Sequence, residues 1–339
     1  MTLDIRSIRH AVALADHGSF SRAADALGIA QPTLSRSIRD LEAEVGLPLF
    51  SRHRWGAEPT DFGYMFLQQA ALVAGQLVDL EREVALAKGL HKGELAVGFG
   101  PYAAELLVTD ALPRFASAHP AVRVRIQVDA LEVLGRSLRM RTLDLVIGES
   151  TILADDESIE VVERLAPPIP AHVFVRAGHP LQSRSTVTLR DVLDYPLLQI
   201  SRLPPRVLKP VMAARTPPAR HGKEFPLPAL ECPFVSLGMA TVAGSDAAMI
   251  AALGMAKQDL AKGRVVPILH ERWMHSDWSI MRLRKRSLGP TATKFIAQLQ
   301  ESHRRAVTED AVLTKRWIHD RPPHGHAQPR PRARGAVAR

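Results

Sequence analysis

Apolar residues recur at helical intervals over the first 45 positions. Ile8, Val12 and Ala15 fall at spacings of 4 and 3, as one helix face does. Gly18 ends that run, and Ser19 is placed to cap the next helix by accepting a free backbone N–H. Phe20, Ala23, Ala24 and Leu27 then fall at i, i+3, i+4 and i+7. Gly28 suits the left-handed residue that closes a helix, and Gln31-Pro32 opens a third, since proline is tolerated in a first turn. Leu34, Ile38, Leu41 and Val45 form its apolar stripe. Two short helices around a three-residue glycine-containing turn predict a helix-turn-helix. Residues 46–50 and 57–60 flank the basic stretch 51–56, which predicts a β-hairpin wing.

Phe66, Ala70, Val73, Leu77, Leu80, Val84 and Ala87 repeat at 4,3,4,3,4,3, with no proline between Pro59 and Pro101. Asp61 favours the helix start, and Gly89 and Gly93 end it. The stripe is long, narrow and bordered by polar residues. It predicts a coiled-coil seam of Phe66, Val73, Leu77, Leu80 and Val84 between two chains. A helix packed on its own core is the alternative. From Gly93 the pattern alternates strands (94–99, 122–128, 143–147) with helices (109–118, 131–140). This βαβαβ order predicts a doubly wound parallel sheet. A second α/β unit starts at 172–175 and continues through 189–193, 197–200, helical 235–242 and strands 265–269 and 280–283. The last helix, about 290–305, returns to the first. The expected fold class is therefore α+β multidomain. It has a winged helix-turn-helix at 1–60, a linker helix at 61–90, and a two-subdomain α/β region at 93–306 (93–165 with 270–306, and 166–269).

The length of 339 residues fits several domains, and 46% hydrophobic residues suffice for real cores. One cysteine, Cys232, excludes an intrachain disulfide and fits a reducing cytoplasm. Asp4, Arg6 and Arg9 exclude a secretory signal at the start, and the most apolar stretch, 237–256, is interrupted by Ser245 and Asp246, so no membrane span is expected. Of the net charge of +9, residues 321–339 supply five arginines and no acid. With four prolines, the segment 320–339 reads as a disordered tail, either a solvated end or a non-specific phosphate-binding appendage.

The third helix carries the candidate chemistry. At about 100° per residue, Arg36 points away from the Leu34/Ile38/Leu41 stripe, flanked by Arg39 and Asp40, with Thr33 and Ser35 near the edges. Arginine can grip guanine O6/N7 in a bidentate way, and hydroxyls can bond a base or a phosphate. Arg52 and Arg54 in the wing suit the minor groove or the phosphates. Residues 1–60 hold seven basic and seven acidic residues, so binding requires Arg22, Arg36, Arg39, Arg52 and Arg54 to segregate on one face. An ordinary solvated helix face is the alternative.

Residues 18–52, GSFSRAADALGIAQPTLSRSIRDLEAEVGLPLFSR, resemble the winged helix-turn-helix of bacterial LysR-type transcriptional regulators. That pattern pairs SF-x-RAA-x-x-L with QP-x-LSR-x-I-x-x-LE and G-x-x-LF-x-R. The resemblance implies groove or phosphate contact by Gln31, Pro32, Thr33, Ser35 and Arg36, a wing arginine at Arg52 and a phosphate contact at Thr60. Ala30 departs from the family's usual Ser or Thr cap, at about 1 kcal/mol. The resemblance also implies double-stranded DNA as partner, a homodimer or homotetramer reading two half-sites, and RNA polymerase as a candidate partner. Weaker motifs, RTLDLVIGES, GHPLQSRSTVTLRDVLDYPLL and GPTATKFIAQL, extend it to a periplasmic-binding-protein-like effector domain.

Two α/β subdomains make a cleft, and ligands in open α/β sheets sit beyond the strand carboxyl ends. The effector candidates are therefore Gly100, Pro101, Tyr102, Asp129, Glu149, Ser201, Arg202, Ser245 and Asp246. Arg202 would hold a small organic acid, with Tyr102, Ser201 and Ser245 supplying hydroxyls. The acids favour a hydroxylated or amino-bearing ligand, and a neutral sugar is the alternative. No catalytic residues, metal site or cofactor are expected. Gly98–Pro101 lacks the elements of a phosphate loop, no G-x-S-x-G exists, and Asp155-Asp156-Glu157 reads as an acidic loop. Two other readings stay open: an unliganded C-terminal assembly scaffold, and a solute-binding protein or α/β enzyme with a fused helical module.

Overall fold

A computed structural model describes residues 3–53, 56–87, 93–215, 225–284 and 286–319. The expectations for Arg54, Gly89 and the 320–339 tail lie outside the described residues. The chain divides into two units, one of residues 1–104, 108–165 and 278–301, the other of 105–107, 166–277 and 302–339.

The first unit opens with α1 (Ile5–His17), α2 (Phe20–Leu27) and α3 (Gln31–Val45). Gly18 and Gly28 close the first two helices in the left-handed conformation, at φ 60° and 67°. Ser19 and Ala30 occupy the caps of α2 and α3, but neither side chain makes a capping bond, which corrects the role expected of Ser19. Leu14, Ala23, Leu34, Ile38 and Leu41 are almost fully buried and share a core with Leu49, Phe50 and Ala57 of the wing. The wing is an antiparallel pair, β1 (Phe50–His53) and β2 (Gly56–Pro59).

The 27-residue α4 (Asp61–Ala87) leaves the wing so tightly that a Cβ on Gly63 would lie 2.0 Å from the Leu49 carbonyl oxygen. Its first turns belong to the winged domain: Phe66 and Leu67 pack on that core, and Ala70 and Ala71 are buried. Phe66 is thereby removed from the expected seam. Val73, Leu80 and Val84 are 42%, 57% and 44% exposed, and Leu77 is half-buried.

The α/β part of this unit has β3 (Glu94–Phe99), α5 (Pro101–Ala103), a π turn, α6 (Thr109–Ala118), β4 (Arg123–Val128), α7 (Leu131–Arg139), β5 (Leu145–Glu149) and β6 (Ile159–Arg164). β3, β4 and β5 are parallel, as the βαβαβ pattern predicts.

The second unit contains β7 (Ile169–Pro170), β8 (His172–Arg176), α8 (Leu189–Leu193), β9 (Leu197–Gln199), α9 (Pro205–Arg215), β10 (Leu230–Glu231), α10 (Val235–Gly244), β11 (Ala248–Ala251), α11 (Lys257–Ala261), β12 (Val265–Leu269) and β13 (His275–Ser276). Its main sheet runs β10-β9-β11-β8-β12, with β9, β10 and β11 parallel and β8 antiparallel to β11 and β12. The apolar stretch 237–256 is thus divided between α10, β11 and a 3-10 turn, and no helix of the described residues is long and apolar enough to cross a membrane.

The chain returns to the first unit in β14 (Trp278–Leu283), giving the order β4-β3-β5-β14-β6, with β14 antiparallel to β5 and β6. Both sheets are therefore mixed, because each accepts a strand entering from the opposite direction. The return falls at 277/278, not 269/270. The last helix, α12 (Pro290–Thr314), runs well past residue 305. Ser302, His303, Asp310 and Leu313 are buried within the second unit, so the helix keeps packing there and does not stay with the first.

Candidate nucleic-acid interface and effector edges

Burying Leu34, Ile38 and Leu41 turns the opposite face of α3 outward. Gln31, Pro32, Thr33, Arg36 and Arg39 are exposed, and Ser35 is half-buried. Arg39 donates from Nε to the Ser35 carbonyl at 3.2 Å, which draws it along the helix rather than away from it. In the wing, Arg52 is exposed and lies 5.0 Å from the centre of the Phe20 ring at the start of α2. This cation–π contact holds its guanidinium beside the helix-turn-helix. Thr60 departs from its expected role. Its hydroxyl donates to the Pro48 carbonyl at 2.8 Å and accepts the Gly63 N–H at 2.9 Å, so it joins wing to linker. Sequence reasoning assigned no role to Glu42. One Glu42 oxygen accepts the N–H groups of Leu49 and Phe50 at 2.8 and 3.1 Å, anchoring the wing to α3. The LE pair in the motif is the only signal of it.

The parallel strands of the first unit bring Gly100, Pro101, Tyr102 and Asp129 to one carboxyl edge. Gly100 and Pro101 are buried. The Gly100 N–H is donated to Ile147 at 2.9 Å, and proline has no N–H, so both shape the edge and offer no donor. Tyr102 and Asp129 are half-buried, and Asp129 accepts the Ala130 N–H at 2.8 Å. Glu149 is not beyond its strand as expected. It is the last residue of β5, paired with Trp278 of β14, and accepts a hydrogen bond from Thr151 at 3.2 Å.

Strand direction separates the candidates of the second unit. Ser201 and Arg202 follow the carboxyl end of β9. Ser245 and Asp246 precede β11, which is parallel to β9 with Ala248 opposite Leu197. The two pairs therefore lie at opposite ends of the sheet, roughly 13 Å or more apart along the strands. Asp246 is held by Arg176 at 2.8 Å, and the Ser245 hydroxyl donates to Thr241 at 2.7 Å and accepts the Ala247 N–H at 3.2 Å. Ser245 and Asp246 are structural and are withdrawn as effector contacts.

At the Ser201 end stand two histidines that sequence reasoning missed. His172 opens β8 opposite Ala251, and its ring lies 4.8 Å from that of His270, just past β12. His270 Nδ1 is 2.8 Å from the Ala171 carbonyl oxygen, whereas the buried His172 Nε2 has no hydrogen-bond partner among the described residues. Burial, and then His270, push the His172 pKa down to about 4. Burial also pushes the Asp310 carboxyl up, to about 6, against hydrogen bonds from the Leu253 N–H and Thr314. Among the described residues, no group of three His, Cys, Asp or Glu side chains could hold a metal ion.

Comparison with known proteins agrees with this arrangement. Residues 5–64 match the bacterial regulatory helix-turn-helix of the lysR family, and residues 88–304 match the LysR substrate binding domain. The chain is 35% identical over 264 residues to the SDS degradation transcriptional activation protein of Pseudomonas sp. (strain ATCC 19151), covering 77% of this chain and 83% of that one. Its fold resembles a full-length OxyR variant from Pseudomonas aeruginosa, with a TM-score of 0.65, 19% identity, and coverage of 90% and 95%. It also resembles full-length CbnR complexed with its target DNA, with a TM-score of 0.55, 18% identity, and coverage of 88% and 100%.

The depressed pKa of His172 makes a pH-dependent contribution to stability. The fold favours the neutral ring, so its contribution is complete above the ordinary value of 6.5 and is lost as pH falls toward 4. Asp310 acts oppositely, since a raised carboxyl pKa loses its contribution as pH rises through about 6. Asp310 is unchanged in His172→Phe, so it cancels in the difference between variant and wild type. The variant should gain about 2–3 kcal/mol over wild type at pH 4.5 relative to pH 7.5, read from urea unfolding of the full chain at both values. An equal difference at the two pH values would contradict the burial of a neutral His172.

Proposed function

The chain belongs to the LysR family of DNA-binding transcriptional regulators and is not an enzyme, and from that premise we propose how its residues divide the work. The outward face of α3 enters the major groove, where Arg36 reads a base edge and Gln31, Thr33 and Ser35 contact bases or phosphates. Arg39 and the wing residue Arg52 contact phosphates. The observation that carries this reading is the burial of Leu34, Ile38 and Leu41, which leaves Arg36 exposed on the opposite side and Thr33 exposed at its edge. The protein works in the cytoplasm as a dimer or tetramer. Val73, Leu77, Leu80 and Val84 form the seam, supported by the exposure of three of these apolar residues on a 27-residue helix. Paired readers then address two half-sites.

The effector is a small organic acid. Arg202 and Ser201, beyond the carboxyl end of β9, supply its contacts in the second unit. Engagement of Asp246 by Arg176 removes one of the acids that weighed against an anion. RNA polymerase is the proposed downstream partner.

Arg36→Ala should weaken operator binding by about 1–3 kcal/mol and relax preference at one position, whereas Arg52→Ala should weaken all duplexes evenly and lower the salt slope. Titrations across 50–200 mM salt measure both, and unchanged selectivity and slope in both variants would remove the assignment. The doubly substituted Leu77→Glu, Leu80→Glu chain should sediment as a monomer and lose preference for a palindrome over a single half-site, because buried charges there would be unpaired. Wild-type sedimentation would show that another surface holds the chains together. A carboxylate that raises the melting temperature of the wild type should do so less in Arg202→Ala. If uncharged sugars alone shift it, the ligand is not an acid.

A further inference from the structure

The winged domain buries a polar chain across its helices. His10 of α1 is 7% exposed, and its neighbours Ile8, Ala11 and Leu14 belong to the apolar interior. Its Nδ1 is 2.8 Å from the Ser37 hydroxyl of α3, which in turn donates to the Ser7 hydroxyl of α1 at 3.2 Å. The His10 ring and the two hydroxyls thus form one continuous hydrogen-bonded chain between α1 and α3. Burial, with Arg6 and Arg9, lowers the His10 pKa against Asp4, which favours the neutral ring.

Ser37 lies one helical turn beyond Thr33 and directly follows Arg36. The Leu34, Ile38 and Leu41 contacts hold α3 against the core but are not directional. At the 5–6 Å radius of helix side chains, a rotation of about 10° displaces a side chain by about 1 Å. That is enough to spoil a bidentate base contact while leaving a phosphate contact possible. The structure assigns His10 and Ser7 as positioning residues: through Ser37 they fix the rotation of α3 about its axis, so that Arg36 and Thr33 meet base edges. This rests on α3 being the base-reading helix.

The test uses the full chain, the duplex that wild type enriches from a randomised pool, and a scrambled duplex of the same length. His10→Leu fills the site without a donor, and Ser37→Ala removes the relay. His10→Asn returns an amide N–H to the position of Nδ1. His10→Leu and Ser37→Ala should each lower the enriched-to-scrambled affinity ratio by about tenfold, within what one bidentate base contact supplies. Affinity for the scrambled duplex should stay unchanged, and His10→Asn should restore the ratio to near wild type. A structural role alone would show as a changed melting temperature with the ratio intact. Selectivity in His10→Asn as low as in His10→Leu would overturn the assignment. Full selectivity in Ser37→Ala would do the same, and decides the matter if the leucine variant does not fold. Arg36→Ala is the control: if it relaxes selectivity and the His10 and Ser37 variants do not, the positioning role alone falls. If it does not relax selectivity either, the base-reading role of α3 falls with it.

Discussion

The working surface of the winged domain depends on the burial of one stripe of α3. Leu34 and Ile38 are fully buried and Leu41 nearly so, against α1, α2 and the wing. A helix that commits one face to a core has no freedom about what the other face presents. Arg36 and Thr33 are outward because the leucines and the isoleucine are inward. The polar contacts refine that arrangement. Glu42 ties the wing to the same helix, Thr60 ties the wing to the linker, and His10 with Ser37 sets the helix against α1. Each joins elements that apolar packing brings together without fixing their angle.

In the effector domain, strand direction is the governing constraint. A polar residue before a strand and one after it are on opposite edges of a parallel sheet, whatever their chemistry. This is why Ser201 and Arg202 lie at the carboxyl edge while Ser245 and Asp246 lie at the amino edge, where Asp246 pairs with Arg176 and Ser245 bonds Thr241. The same rule brings His172 and His270 to the Ser201 end, because β8 runs antiparallel and so begins where its neighbours finish.

The linker helix joins two kinds of packing on one continuous element. Its first turns complete the winged core through Phe66 and Leu67, and Gly63 allows the helix to pass against the Leu49 carbonyl. Farther along, Val73, Leu80 and Val84 project from the helix with a heptad interval and are left to solvent within one chain. One heptad stripe is thus packed on the winged core in its first turns and exposed farther along, which periodicity alone does not separate.

Local periodicity and turn chemistry were enough to read α1, α2 and α3, the helix end at Gly18, the left-handed closure at Gly28, the wing, the linker and the βαβαβ order after Gly93. Those features rest on interactions between residues three or four apart, or on alternation along one strand, and such interactions are written in the residue order itself. The family was legible for the same reason, since residues 18–52 carry it in one uninterrupted stretch. Tertiary structure alone decided the partners that are distant in sequence. Ser37 meets His10 across 27 positions, β14 enters its sheet antiparallel to β5, and α12 continues to Thr314 because Asp310 and Leu313 find burial beyond the point where its local pattern weakens. It also decided which polar residues are already engaged. Thr60, Ser245 and Asp246 have the composition of ligand contacts, but whether a hydroxyl or carboxylate is free depends on the groups that folding sets opposite it, and the order of residues does not say which those are.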